Sequence, residues 1–146
     1  VDIHESGGIF LDHRDERGVV GYPGMTRRQI ASEFPSVHIP DAVHEAGWWD
    51  PARGEEDWPT CQGRAIRVSK QLWRWVDEGA DGPIAIVSHA GFMEALLKAI
   101  FGRLPGANLT FYHFNTAITR LDLEPGEQIH IRYLNRVPHL PREMVS

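Results

Sequence analysis

The stretch from Pro83 to Gly102, PIAIVSHAGFMEALLKAIFG, constrains the fold more than any other part of the chain. Ile84 to Val87 is short and continuously apolar, the pattern of a central strand buried on both faces. Ser88 and His89 follow. Gly91 to Phe101 then reads as a helix, with Gly102 as its C-cap. In open α/β sheets, ligands bind beyond the carboxyl ends of the strands, and a helix starting there offers unpaired N–H groups and the positive end of its dipole to a phosphate. His89 stands at that junction. An imidazole there stabilises charge on an anionic oxygen during phosphoryl transfer, or else merely ends a strand; position alone leaves both readings open. Gly91 leaves room for the backbone to approach a ligand.

Away from this junction the pattern is that of one α/β domain. The first ten residues read as a short strand or extended segment ended by Gly7-Gly8, and residues 11 to 24 as a polar, glycine-bearing loop. Thr26 is placed to cap a helix from Arg27 to Phe34, stopped by Pro35. From there to Pro59 the chain is rich in prolines and carries Trp48, Trp49 and Trp58, which favours an ordered irregular excursion, either a pocket lid or a loop pinned to the core. Thr60 is placed to cap a helix over about Gln62 to Glu78, where Ala65, Val68, Leu72 and Val76 recur at three- and four-residue steps. Gly79 and the Asp81-Gly82-Pro83 run close it. Strands are expected over Tyr112 to Leu123 and Ile129 to Tyr133, joined by the hairpin signal EPGE. The tail after Leu134 reads as loop. The order β-α-α-β-α-β-β predicts an α/β fold with a mixed, mostly parallel sheet and flanking helices.

The totals exclude several classes. A chain of 146 residues is one domain's worth. A net charge of -5 argues against nonspecific nucleic-acid binding, which needs a basic surface. No apolar run approaches the roughly 20 residues of a membrane span, and no signal peptide is visible. With Cys61 alone, no internal disulfide forms, so a reducing, cytoplasmic setting is the expectation.

Glu5, beside two glycines, is a second candidate. A carboxylic acid protonates a departing alkoxide if burial raises its pKa; a plain surface glutamate is the alternative. His4, Glu5, Asp12 and His13 crowd the start, but no metal-ligand spacing such as HExxH or paired CxxC accompanies them, so no metal is expected. Arg64, Arg67, Arg27 and Arg28 suit an anion by type, but basic residues on amphipathic helices are ordinarily solvated. Cys61 at a helix start is open to a lowered pKa, yet with no histidine partner in sight, packing is the favoured reading.

Taken together, IAIVSHAGFMEALLKAIFG resembles the second-histidine motif of the histidine phosphatase superfamily, the phosphoglycerate mutase-like proteins. HESGGIF is similar to the family's segment that carries the acid glutamate, EEDWPTCQGRAIRVSKQLWRWV to the helix before the second-histidine strand, and FNTAITRLDLE with IRYLNRVPHL to the closing strands and tail. The resemblance makes His89 and Glu5 catalytic: His89 polarises the phosphoryl group and Glu5 protonates the leaving oxygen. It makes Ser88 and Ala90 substrate-binding, Ala90 through its backbone amide.

It implies a phosphatase, or else a phosphomutase, acting on a small phosphorylated substrate through a phosphohistidine, with no cofactor. The phosphatase is favoured because no mutase-style basic loop follows the glutamate. The family's Arg-His-Gly strand, which bears the attacking histidine, is absent from these residues; the reversed pair in DHRDERG lies in a polar loop. Together with the start at Val1, this gives the expectation of an incomplete domain over residues 1–146. It would lack the N-terminal strand-helix portion, be inactive alone, and be inclined to form homo-oligomers through the open edge of its central strand. A catalytically inactive phosphate-binding or regulatory module of the same fold is the alternative. Ala90 stands where a glycine is commoner, which matters only if that backbone requires a positive φ.

Overall fold

A computed structural model describes residues 2–80, 82–106 and 108–145, so that Val1, in the expected first strand, and Asp81, in the turn expected to close the long helix, lie outside the described residues. The expected strand before Gly7-Gly8 is not formed. Residues 2–8 fold into turns, with Gly7 and Gly8 at φ +87° and +88°, a backbone that only glycine adopts freely. The loop expected over residues 11 to 24 is instead a small hairpin. Strand β1 (Phe10–Asp12) pairs antiparallel with β2 (Val19–Gly21), Leu11 opposite Val20. Its polar residues sit in the connection, where Asp12 and Asp15 carboxylates accept from the Arg14 and Arg17 N–H groups.

Helix α1 (Arg27–Glu33) starts at Thr26 as expected, through a reciprocal capping box: Thr26 Oγ1 accepts from Gln29 N–H and Gln29 Oε1 from Thr26 N–H. Helix α2 (Trp58–Asp77) begins four residues before the expected start. Asp57, not Thr60, is its N-cap; the Asp57 carboxylate accepts from Thr60 N–H at 2.9 Å, and Pro59 occupies the first turn, where its missing N–H costs nothing. Helix α3 (Ala90–Ile100) follows His89 directly. Strands β3 (Ile118–Glu124) and β4 (Gln128–Arg136) form the expected hairpin, turned by Gly126 and Glu127 at φ +80° and +58°, but residues 112–117 stay outside it.

The expected mostly parallel sheet is not found. Among the described residues the strands form two separate two-stranded antiparallel sheets, and Ile84 to Val87 joins neither. Val87 is 86% exposed and Ile84 55%; Ile86 alone of the four is packed on the core. An apolar run becomes a central strand only when strands flank it on both sides. Here each strand pairs within its own hairpin.

The core lies between α2 and α3. Cys61, Ala65 and Leu72 pack against Phe92, Ala95, Leu96 and Ile100, and Leu121, Leu123 and Ile129 of the second hairpin rest on them. Phe92 is wholly buried, which stabilises by about 1.5–3 kcal/mol relative to an exposed ring. Among the described residues, no helix is long and apolar enough to cross a membrane.

Candidate active site

The amino end of α3 organises the site. His89 is its N-cap, with extended backbone (φ -117°, ψ 159°) and a side chain that makes no capping hydrogen bond. The residue is exposed and lines a cavity of about 540 Å³ together with His4 and Glu5. The Ser88 hydroxyl donates to the Ile3 carbonyl and so ties the N-terminal segment to this junction. Ala90 opens the helix, and its φ is not positive, so its methyl group is tolerated.

Glu5 occupies the place that helix polarity reserves for an anion. Its Oε1 accepts from Phe92 N–H at 2.9 Å and Ser6 N–H at 2.8 Å, and its Oε2 from Gly91 N–H at 3.4 Å. The glycine permits this approach, because a Cβ at Gly91 would lie 2.7 Å from the carboxylate. The close approach expected of a ligand is thus made by the chain's own side chain. Partial burial pushes the Glu5 carboxyl upward, but the N–H groups of Ser6, Phe92 and Gly91 and the neighbouring His89 outweigh it and hold the group below the usual glutamate value. The raised pKa expected of a resting general acid is therefore not found: hydrogen bonds to the charged form defeat desolvation.

Arg64 holds this arrangement from behind. It is neither solvated nor open to a ligand. Its guanidinium is 3% exposed, pairs with the buried Glu56 carboxylate at both oxygens, donates to the carbonyls of Asp2, His4 and Glu5, and lies 4.3 Å from the centre of the Phe92 ring. One side chain of α2 thereby fixes the three carbonyls that carry Glu5. Arg67, three residues on, is exposed. Arg27 makes a similar tether, donating to the Ile39, Pro40 and Val43 carbonyls of the proline-rich excursion, whereas Arg28 is exposed.

The excursion supplies both a wall and a pin. Trp48 lines the cavity and packs on Gly24; Trp49 lies against Gly8 and edge-on to Phe10 and His4. Trp58 is remote in role, beginning α2. His4 is wedged between the two indoles, with Nδ1 2.8 Å from the Glu5 carbonyl. A carbonyl only accepts, so Nδ1 bears the proton. Burial pushes the His4 pKa down, with Arg64 adding to the effect.

The other candidates take plainer places. His13 hydrogen-bonds the Tyr22 hydroxyl, and among the described residues no group of three His, Cys, Asp or Glu converges to hold a metal ion. Cys61 is fully buried, and burial pushes its thiol up to about 11, which overturns a lowered pKa and fits packing.

Sequence reasoning named His89 and Glu5, which the fold brings to one cavity; it named Arg64 and His4 only for other chemistry, an anion site and a metal, and it missed Val43. The acidic partner of Arg64 lies eight positions before it, off the helix, and its backbone partners about sixty residues away, beyond any local pattern.

The family model described as "Histidine phosphatase superfamily (branch 1)" matches residues 11–136, a span that includes Ser88, His89 and Ala90 and leaves Glu5 outside. No curated protein and no solved structure matches the chain. With an exposed histidine heading a helix at a cavity mouth, and a family match over most of its length, the chain belongs to the histidine phosphatase superfamily.

Proposed function

We propose that the cavity at the head of α3 binds the phosphoryl group of a small phosphorylated substrate, and that the reaction is phosphatase hydrolysis through a phosphohistidine. The observation that carries this reading is the exposed His89 at a helix N-terminus, beside Glu5, at the mouth of the cavity. His89 and the Ala90 amide take the phosphoryl oxygens. An arriving phosphate competes with the Glu5 carboxylate for the Gly91 and Phe92 N–H groups. Displaced, and facing a second anion, Glu5 has its pKa raised and takes up a proton. It becomes the acid that the resting site does not hold. As the bond from phosphorus to the organic oxygen breaks and a nitrogen–phosphorus bond forms, Glu5 gives its proton to the departing oxygen, and water then cleaves the phosphohistidine. The attacking imidazole is assigned to an Arg-His-Gly segment outside residues 1–146, so these residues alone bind phosphate without turning it over.

Calorimetric titration with inorganic phosphate in buffers of different ionisation enthalpy tests this. Proton uptake on binding is expected, together with weakening of at least about 10-fold in His89→Ala. Binding with no proton change, or binding untouched by His89→Ala, sinks the reading. In the intact enzyme, chelators are expected to leave turnover unchanged; loss that zinc restores contradicts the mechanism.

A second reading is favoured by one observation. The lowered pKa of Glu5 and its hold on the α3 amides suit a catalytically inactive phosphate-binding or regulatory module. Sequence encoded upstream of Val1 discriminates the two: an Arg-His-Gly strand supports the enzyme, and a start codon near Val1 the module.

A further inference from the structure

Resting on that phosphate-site reading, we propose that the group esterified to the phosphate is apolar and about the size of an aromatic ring, with no second anionic substituent. The cavity beside His89 is walled by Ile3, Ile9, Phe10, Pro40, Val43 and Trp48. Its polar groups, His4, Glu5 and His89, are all contributed by the segments that meet at the head of α3. No lysine or arginine lines it among the described residues. Arg64, behind the wall, is engaged by Glu56 and three carbonyls and has no hand free for a substrate carboxylate or second phosphate.

A volume of about 540 Å³ admits a ring together with a phosphoryl group. The wall is also held in place. Val43 is buried, its carbonyl and that of Pro40 are bound by Arg27, and Trp48 N–H and Trp49 N–H both donate to the Pro23 carbonyl. A carboxylated or doubly phosphorylated substrate entering such a cavity would lose water from its second anion without gaining a cation. An aromatic or branched apolar group loses nothing of the kind and is attracted by the area it buries against the ring faces of Trp48 and Phe10.

Titration of the 146-residue chain with methylphosphonate, benzylphosphonate and 3-phosphonopropionate keeps the phosphoryl-like end constant and varies the attached group. Benzylphosphonate is expected to bind at least about 10-fold more tightly than methylphosphonate, and 3-phosphonopropionate no more tightly than methylphosphonate. Val43→Asp is expected to bring the benzyl-to-methyl ratio near one. Because aspartate at a buried position threatens the loop, Trp48→Leu, checked by circular dichroism, is the second variant and is expected to lower the same ratio. A ratio near one in the unaltered chain, or tighter binding of 3-phosphonopropionate, overturns the proposal. If inorganic phosphate binds while that ratio is near one, the proposal alone fails. If neither inorganic phosphate nor any phosphonate binds, the phosphate-site reading fails and this proposal with it.

Discussion

The Glu5 carboxylate rests on the α3 amides and His4 is wedged between two indoles, so both groups titrate abnormally in the folded chain. Both shifts are downward, and the sign of their effect on stability is the same. As pH falls through 6.5, the unfolded chain protonates His4 while the folded chain resists, so stability declines from there toward the lower folded value. Glu5 contributes stability above its ordinary 4.5, and that contribution is lost as pH falls through its depressed folded value. Urea midpoints are therefore expected to begin dropping as pH falls through 6.5 and to drop further below 4.5, with His4→Gln flattening the first decline only. A stability that rises on acidification is incompatible with this account. Arg64 makes the sharper prediction. Arg64→Met strands a buried carboxylate at Glu56 and releases three carbonyls, and is expected to cost about 3–5 kcal/mol of unfolding free energy. Arg67→Met, on the exposed side of the same helix, is expected to stay within about 0.5 kcal/mol.

Elements specified by neighbours in sequence were legible before the structure. Thr26 ahead of the run from Arg27 announces α1, and Glu-Pro-Gly-Glu between two β-rich runs announces the β3–β4 hairpin. The start of α2 was misplaced, because Thr60 offers a cap as plausible as Asp57, the one the helix uses. Sheet membership was not legible. Whether Ile84 to Val87 becomes a strand depends on which other strands lie beside it, a property of the assembled fold and not of four apolar residues. Of the site, His89 was legible because a strand-like run, a histidine and a helix are adjacent in sequence. The depressed pKa of Glu5 was not, since its donors Gly91 and Phe92 are more than eighty residues away. Hydrogen exchange tests the observed pairing directly. Amides of residues 84–87 are expected to exchange at open-chain rates, while those of α2 and α3 are protected. Protection across residues 84–87 would show that this run finds a strand partner in solution.

The chain exposes 10326 Å², against roughly 7,600 Å² for a folded monomer of this mass. Part of the excess is apolar: Val87 and Tyr112 are 86% and 81% exposed, and Ile84, Leu109 and Phe114 add to it. Surface of that extent and character favours association. Homo-oligomerisation is accordingly proposed, and sedimentation velocity is expected to show mass rising with concentration; a monodisperse monomer over a wide concentration range contradicts it. The same sparse burial implies a modest resistance to denaturant, with the α2–α3 contact supplying most of it.

The Arg64 guanidinium acts as a latch that shuts the floor of the cavity and the carboxylate onto α2 in a single stroke, because it grips the carbonyls on both sides of His4. Ser88 holds the Ile3 carbonyl and the α3 amides hold Glu5 independently of it, so in the proposed site loss of the latch loosens the apolar wall and the carboxylate together without releasing either. Damage to Arg64 or Glu56 should therefore degrade recognition of both ends of a ligand in step, whereas changes at Val43 or His89 should dissect them one at a time.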